Sequence, residues 1–463
     1  MTRRRRLRRT RRSFLPRALA FATGAGVLLG WLAIQNGSAP ELAACADRDH
    51  LTVAVGNDVA GGFRRDLVAE WNSIGTMKAD LVEISDSTDE VRVEMVQAAQ
   101  FQSCAYDIYL VDVAWTGEFA ERGYISEIPL TVAERARFLD KALRTGQFAG
   151  VQYAIPFATD APLLFRRSGM PLPENPDALL EAARRHGYAV QLDDSEGGSV
   201  TLFEALFSAG VQVTAGGEVV LDQPVNAQRA ERALAGWQEM MRSGAQRAVG
   251  SHLREEDSIQ IFRSGAAGYM RNWAFAFHRL AMDSSMRGPG GDLLFEVSPL
   301  PGTGVLGGSN LAVAANSPHP EEARKFIAFL TDDEVQKKLF ACSGYTPVLK
   351  SVYASYARQP ETCQELLSGT LEPPPSDGLE TTAAELQALA GAMHAALEAA
   401  EPRPAGAHYS LFSRAFRSCA RALVLSRVAR PVDFDRWARA LREAMSGRHV
   451  GERDACPGGP TDQ

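Results

Sequence analysis

The stretch LTVAVGNDVAGGFRRDLVAEWNSIGTMKADLVEIS, residues 51–85, decides the fold. LTVAV (51–55) is a β-branched apolar run with the character of a strand. FRRDLVAEWNSI then places Phe63, Leu67, Val68 and Trp71 at helical spacing, and ADLVEIS (79–85) returns to strand character. Outward from there, DEVRVEMVQAAQ reads as a second helix and YDIYLVDV (106–113) as a buried strand. Strand, helix, strand, helix, strand predicts an α/β unit on a mostly parallel sheet.

Ligands of such sheets sit outside the carboxyl ends of the strands. Two turns therefore matter, GNDVAGG after the first strand and DVAWTGEF after the third, and they carry Asp58, Asp112, Trp115 and Glu118. A carboxylate there can accept two hydroxyl hydrogen bonds, and an indole beside it offers a flat apolar face to the C–H side of a sugar ring. An Asp at a strand-to-helix junction also serves as a helix cap. Two such turns together point to a site. A third candidate is GYMRNWAFAFHRL (268–280), where Trp273, Phe275 and Phe277 stand beside Arg271 and Asn272.

Composition narrows the class. The 463 residues are 45% hydrophobic and 23% charged, an ordered globule long enough for two or three domains. Residues 1–44 hold nine Arg against one acid, leaving 40 Lys+Arg against 55 Asp+Glu beyond them. An acidic body argues against nucleic acid as a partner, because phosphate binding needs basic surface on the folded part. GTGVLG (302–307) satisfies GxGxxG but leads into the strand-like LAVAA instead of opening a helix, so a dinucleotide site is not expected. There is no P-loop, HExxH or GxSxG, and the eight His lack metal-ligand spacing. No enzyme, cofactor or metal is expected.

The leader is a targeting segment: an Arg-rich start, then an uncharged run over residues 18–34. TRRSFL (10–15) resembles the twin-arginine export signal. LAAC (42–45) resembles a lipobox, although NGSAPE separates it from the apolar run. Three outcomes stay open: cleavage, lipidation of Cys45, or retention of residues 18–34 as a membrane anchor, the preferred reading. Six cysteines in an exported chain allow three disulfides in 15 pairings, and lipidating Cys45 would strand one thiol. Cys45 and Cys104 precede strands that, as parallel neighbours, would bring both thiols to one end of the sheet. Sequence proximity pairs Cys342 with Cys363 and Cys419 with Cys456.

The order YDIYLVDVAWTGEFAERGYISEI, GVQYAIPFATDAPLLFRR, FRSGAAGYMRNWAFAFHRL, PLPGTGVLGGSNLAVAANSPHPEEARKFIAFLTDDEVQ and GYTPVLKSVY resembles the extracellular solute-binding proteins of sugar-importing ABC transporters, in particular the trehalose/maltose-binding branch. The likeness runs from about residue 51 to 353 and resumes around EPRPAGAHYSLFS (401–413). It implies a two-lobed α/β periplasmic-binding-protein fold (type II) with discontinuous lobes joined by a hinge. Residues 1–44 would be the export signal or anchor, 45–156 with 301–345 lobe I, 157–300 with 346–450 lobe II, and 451–463 a C-terminal tail. The chain would cross between lobes at AIPFATDAPLLF, around Pro156 and Pro162, and at VSPLPG.

The resemblance also implies a ligand set: Asp58, Asp112, Trp115 and Glu118 from lobe I, Asp160 at the first crossover, Trp273 as a stacking wall, Gly307 and Gly308 by close backbone approach, and Arg403. Phe275 and Phe277 would pack behind Trp273. Ser309 stands where sugar binders often carry an aromatic, and the segment of about 360–400, with its PPP, is longer than the family norm. The implied role is capture of a sugar, a di- or oligosaccharide such as trehalose or maltose, by a monomer that delivers it to ABC permease subunits with their ATPase. The alternatives are a surface ligand-sensing receptor of the same fold, or a glycoside-processing enzyme using paired carboxylates such as Asp112 and Asp160.

Overall fold

The computed structural model describes residues 48–58, 61–244, 253–368, 379–428 and 431–456. The leader, Cys45 and the PPP segment lie outside the described residues. β1 (His50–Val55), α1 (Phe63–Ile74), β2 (Lys78–Glu83), α2 (Thr88–Gln100) and β3 (Ile108–Asp112) follow the expected order, and β1 pairs parallel with both β2 and β3. α1 buries Phe63, Leu67, Val68 and Trp71, the apolar stripe read from its spacing. Ser87 starts α2 by accepting a hydrogen bond from the Glu90 N–H.

β4 (Ala154–Asp160) continues this first sheet, whereas β5 (Leu163–Arg167) belongs to a second one, so the chain passes between sheets at Ala161 and Pro162. The second sheet runs β8-β5-β7-β6, with β6 Tyr188–Ala189, β7 Tyr269–Asn272 and β8 Phe295–Pro299. The chain returns over residues 300–304 to β9 (Val305–Val313). The first sheet is then completed in the order β10-β9-β3-β1-β2, with β10 at Glu401–Pro402 and β4 on the other side of β9.

The first passage falls within AIPFATDAPLLF at its second proline, beyond the expected 156/157 lobe boundary. Pro156 sits inside β4 opposite Asn310, where the register with β9 shifts. A residue without an N–H is tolerated at such an irregularity. GTGVLG enters β9 and opens no helix.

Helices cover both sheets: α3 (Thr116–Glu121), α4 (Glu196–Ser208), α5 (Glu255–Arg263), α6 (Phe275–Ala281), α7 (Asp333–Ser343), α8 (Ala383–Ala399), α9 (Tyr409–Leu425) and α10 (Phe434–Met445). α9 packs on α4, with the Phe203 and Phe416 rings stacked at 3.9 Å between centroids, and Trp437 of α10 is buried against Phe416. Disulfides join Cys342 to Cys363 and Cys419 to Cys456, the two pairs named from proximity. Residues 451–456 are therefore part of the body: Glu452–Ala455 is a short helix and Cys456 is buried.

Candidate functional site

The glycine pair of β9 lies between two strand ends that carry carboxylates. Gly307 is in register with Asp160 of β4, and Ser309 with Asp112 of β3. Gly308 has φ +114°, and a Cβ there would stand 2.3 Å from the Ala158 carbonyl oxygen, so only glycine fits. Gly307 is bare for another reason. A Cβ on it would lie 3.2 Å from Cη2 of Trp273, whose ring edge covers this spot.

Trp273 follows β7 directly. Its Nε1 donates to Glu255 at 3.3 Å, and the Arg271 guanidinium lies 3.9 Å from its ring centroid. Arg271 is itself buried and bidentate on Glu204, at 2.6 and 3.0 Å, with Gln191 accepting a third bond at 3.0 Å. This polar layer fixes the indole from behind. Phe275 and Phe277 are buried in the apolar core, so the aromatic stretch divides between site and core.

The carboxylates are oriented by their neighbours. Oδ1 of Asp160 accepts from the Thr346 hydroxyl at 2.7 Å. Oδ1 of Asp112 accepts from the Ala114 N–H at 2.8 Å and from Arg403 Nη2 at 2.6 Å. In both, Oδ2 takes no hydrogen bond from a described residue. Burial pushes Asp160 up to about 7 against the Thr346 bond and the Arg271 charge. Burial also raises Asp112, opposed by Arg403 and reinforced by Glu196.

Asp58 is more fully engaged. It accepts from the Tyr345 hydroxyl at 3.0 Å and the Arg64 N–H at 3.1 Å. Tyr345 and Thr346 are adjacent, so one turn after α7 ties Asp58 to Asp160. Arg403 is buried and spans Asp112 and Glu196, the latter at 2.7 Å; Glu196 also accepts from Tyr409 and Ser413.

The structure thus brings together Asp58, Asp112, Asp160, Trp273, Gly307, Gly308 and Arg403. Trp115 and Glu118 are placed differently. They line a cavity of about 220 Å³ with Arg92, Glu196 and Arg417; the indole is buried, and Glu118 gives both oxygens to Arg92, at 2.8 and 2.5 Å. Both belong to the wall of that cavity, and the Glu118 carboxylate is committed to Arg92. Tyr345, Thr346, Glu196 and Glu204 escaped the sequence reading. The first two lie in GYTPVLK, where a hydroxyl pair beside a glycine was the available signal.

Residues 81–363 match the family described as bacterial extracellular solute-binding protein. A probable ABC transporter-binding protein of Deinococcus radiodurans is 24% identical over 305 residues, 59% of this chain and 69% of the relative. Among solved structures, maltose-bound MalE3 of T. maritima superposes with a TM-score of 0.65 at 22% identity, covering 86% of this chain and 98% of that one. The GacH receptor of Streptomyces glaucescens, solved unliganded and with acarbose, gives 0.68 at 18% identity over the same shares. So does an ABC transporter solute-binding protein of Thermotoga lettingae bound to α-D-tagatose, at 0.67 and 18%. These likenesses show a two-lobed periplasmic-binding-protein fold of type II. The matched segment covers more than half of the chain, which therefore belongs to the bacterial extracellular solute-binding protein family.

Proposed function

We propose that this protein captures a sugar between its two lobes and delivers it to the permease subunits of an ABC importer. One observation carries the reading. On either side of Gly307 and Gly308, Asp112 and Asp160 each hold one oxygen on the protein and leave the other uncommitted, next to an indole braced by Arg271. Paired acceptors beside a flat apolar face suit a pyranose, which presents hydroxyls at its rim and C–H groups on its faces. The solved proteins of this fold carry maltose, acarbose or tagatose in their titles, in keeping with a carbohydrate ligand.

In this reading the six-stranded sheet is the core of lobe I and the four-stranded sheet that of lobe II. The passages at 161–162 and 300–304 serve as hinge strands, and closure follows ligand binding. An importer role also requires the protein to stay near its permease. The uncharged run 18–34, preceded by arginines, suits retention as an anchor with its basic end inside.

The test is a thermal-shift screen of the exported body against mono- and disaccharides. A ligand that binds only the folded state raises the unfolding midpoint with concentration. A concentration-dependent rise with at least one sugar supports the assignment. No rise with any sugar, together with a rise for peptides or polyamines, overturns it.

A further inference from the structure

Asp193, Asp194 and Glu196 follow one another at the N-terminal end of α4, and each meets a different arginine. Arg254 Nε lies 3.5 Å from Asp193, Arg417 Nε 2.7 Å from Asp194, and Arg403 Nη1 2.7 Å from Glu196. Each of these arginines reaches with another nitrogen to an aspartate of the first-sheet half. Arg254 Nη1 is 3.2 Å from Asp86, Arg417 Nη2 is 3.6 Å from Asp89, and Arg403 Nη2 is 2.6 Å from Asp112. Asp86 and Asp89 flank the Ser87 cap of α2, and Asp112 ends β3. Three carboxylate–arginine–aspartate relays therefore run side by side across one flank of the cleft.

We propose that Arg254, Arg403 and Arg417 are positioning residues that clasp the lobes, so that solute affinity is set by the closed population as well as by contacts to the solute. The proposal rests on the cleft being the solute site. A guanidinium has donors on two edges and bridges two carboxylates without deprotonating, a task a lysine performs less well. Without the arginines, three aspartates of one lobe would face three carboxylates of the other, and like-charge repulsion would favour the open form. A solute that binds only the closed form has its apparent dissociation constant divided by the closed fraction. Loosening the relays through Asp86 and Asp89 therefore weakens binding without touching the solute.

The relays differ in exposure. Asp86 and Arg254 are 74% and 44% exposed at their side chains and Asp89 is 48% exposed, whereas Arg417 and Arg403 are both buried. An ion pair in water weakens as salt rises, and a buried one is screened much less. The Arg254–Asp86 relay, exposed on both members, therefore yields most to salt, the Arg417 relay yields at its Asp89 end, and the Arg403 relay holds, so closure of the ligand-free protein becomes salt-dependent.

The experiment is small-angle X-ray scattering of the ligand-free protein at low and high salt, for wild type and the double variant Asp86→Asn/Asp89→Asn. Both aspartates are on the surface, and an unchanged unfolding midpoint verifies the fold. The expected result is a wild-type radius of gyration that grows with salt, and a variant already expanded at low salt and insensitive to more. Arg417→Ala, which leaves Asp89 facing Asp194, is expected to expand at least as far. Equal radii for all three proteins at both salts would overturn the clasp. A second arm measures release of a sugar identified by the thermal-shift screen, expected about two- to tenfold faster in the double variant. If no sugar binds either protein, the sugar assignment fails while the scattering still decides the clasp.

Discussion

The outer edge of the Trp273 indole occupies the space where a side chain on Gly307 would stand, with Cη2 3.2 Å from that position. A residue that follows directly on a strand of the second sheet thus rests on a bare backbone position of the first, in register with Asp160. Gly307→Ala places a methyl group there and displaces the ring, at a cost of about 1–3 kcal/mol for overpacking. Because the adjustment is taken up by the ring, solute affinity is expected to fall roughly tenfold or more. Titration calorimetry reads the loss, and unchanged affinity would show that the ring position is immaterial.

Asp160 gives a pH signature. Burial raises its carboxyl from 3.8 to about 7, so between these values the folded protein keeps a proton the unfolded chain has released. Stability contributed at this position therefore falls as pH rises through that window and levels off above it. Asp160→Asn has no proton to lose. Its midpoint, compared with wild type in thermal melts without ligand, is expected to gain between pH 5 and pH 8. A difference that stays constant with pH would refute the shift.

Arg271 and Glu204 form a buried pair beneath Trp273. Arg271→Leu leaves Glu204 buried without a partner and is expected to cost about 3–5 kcal/mol in denaturant unfolding. Adding Glu204→Leu removes the stranded charge and is expected to recover a large part of that loss. If the double variant is less stable than the single one, the pair is not acting through burial of an unpaired charge.

The Cys342–Cys363 bridge closes a loop 21 residues apart in sequence at the end of α7. Replacing both cysteines by serine releases that loop in the unfolded chain and is expected to cost about 3 kcal/mol. Chemical denaturation of the double variant measures it, and a loss below about 1 kcal/mol would show that local packing of the short helix Cys363–Leu367, not the crosslink, holds the segment.

Apolar runs in β1 and β3 and the helically spaced stripe of α1 made the first sheet legible, because β1 and β3 are buried nearly throughout and α1 buries the face its spacing displays. Asp112, Asp160 and Trp273 were legible through ordered motifs. What was hidden depends on distant chain. Ser195 caps α4, yet burial of Glu196 at the start of that helix requires Tyr409 and Ser413 from more than two hundred residues downstream. Trp115 has the residue type of a sugar platform, but its ring turns into the core, an outcome its local sequence does not encode. Of the two prolines that marked the crossover, Pro162 lies at the passage between sheets, whereas Pro156 occupies a register shift within β4.

The most direct measurement is titration calorimetry of the sugar that stabilises the protein, against wild type and Trp273→Ala. Removing the indole leaves the Arg271–Glu204 layer in place and takes away the stacking face. The expected result is a loss of about 1–3 kcal/mol of binding free energy with the ligand-free fold intact. Equal affinity for the two proteins, with both folded, would contradict capture of the solute between Asp160, Gly307 and Trp273.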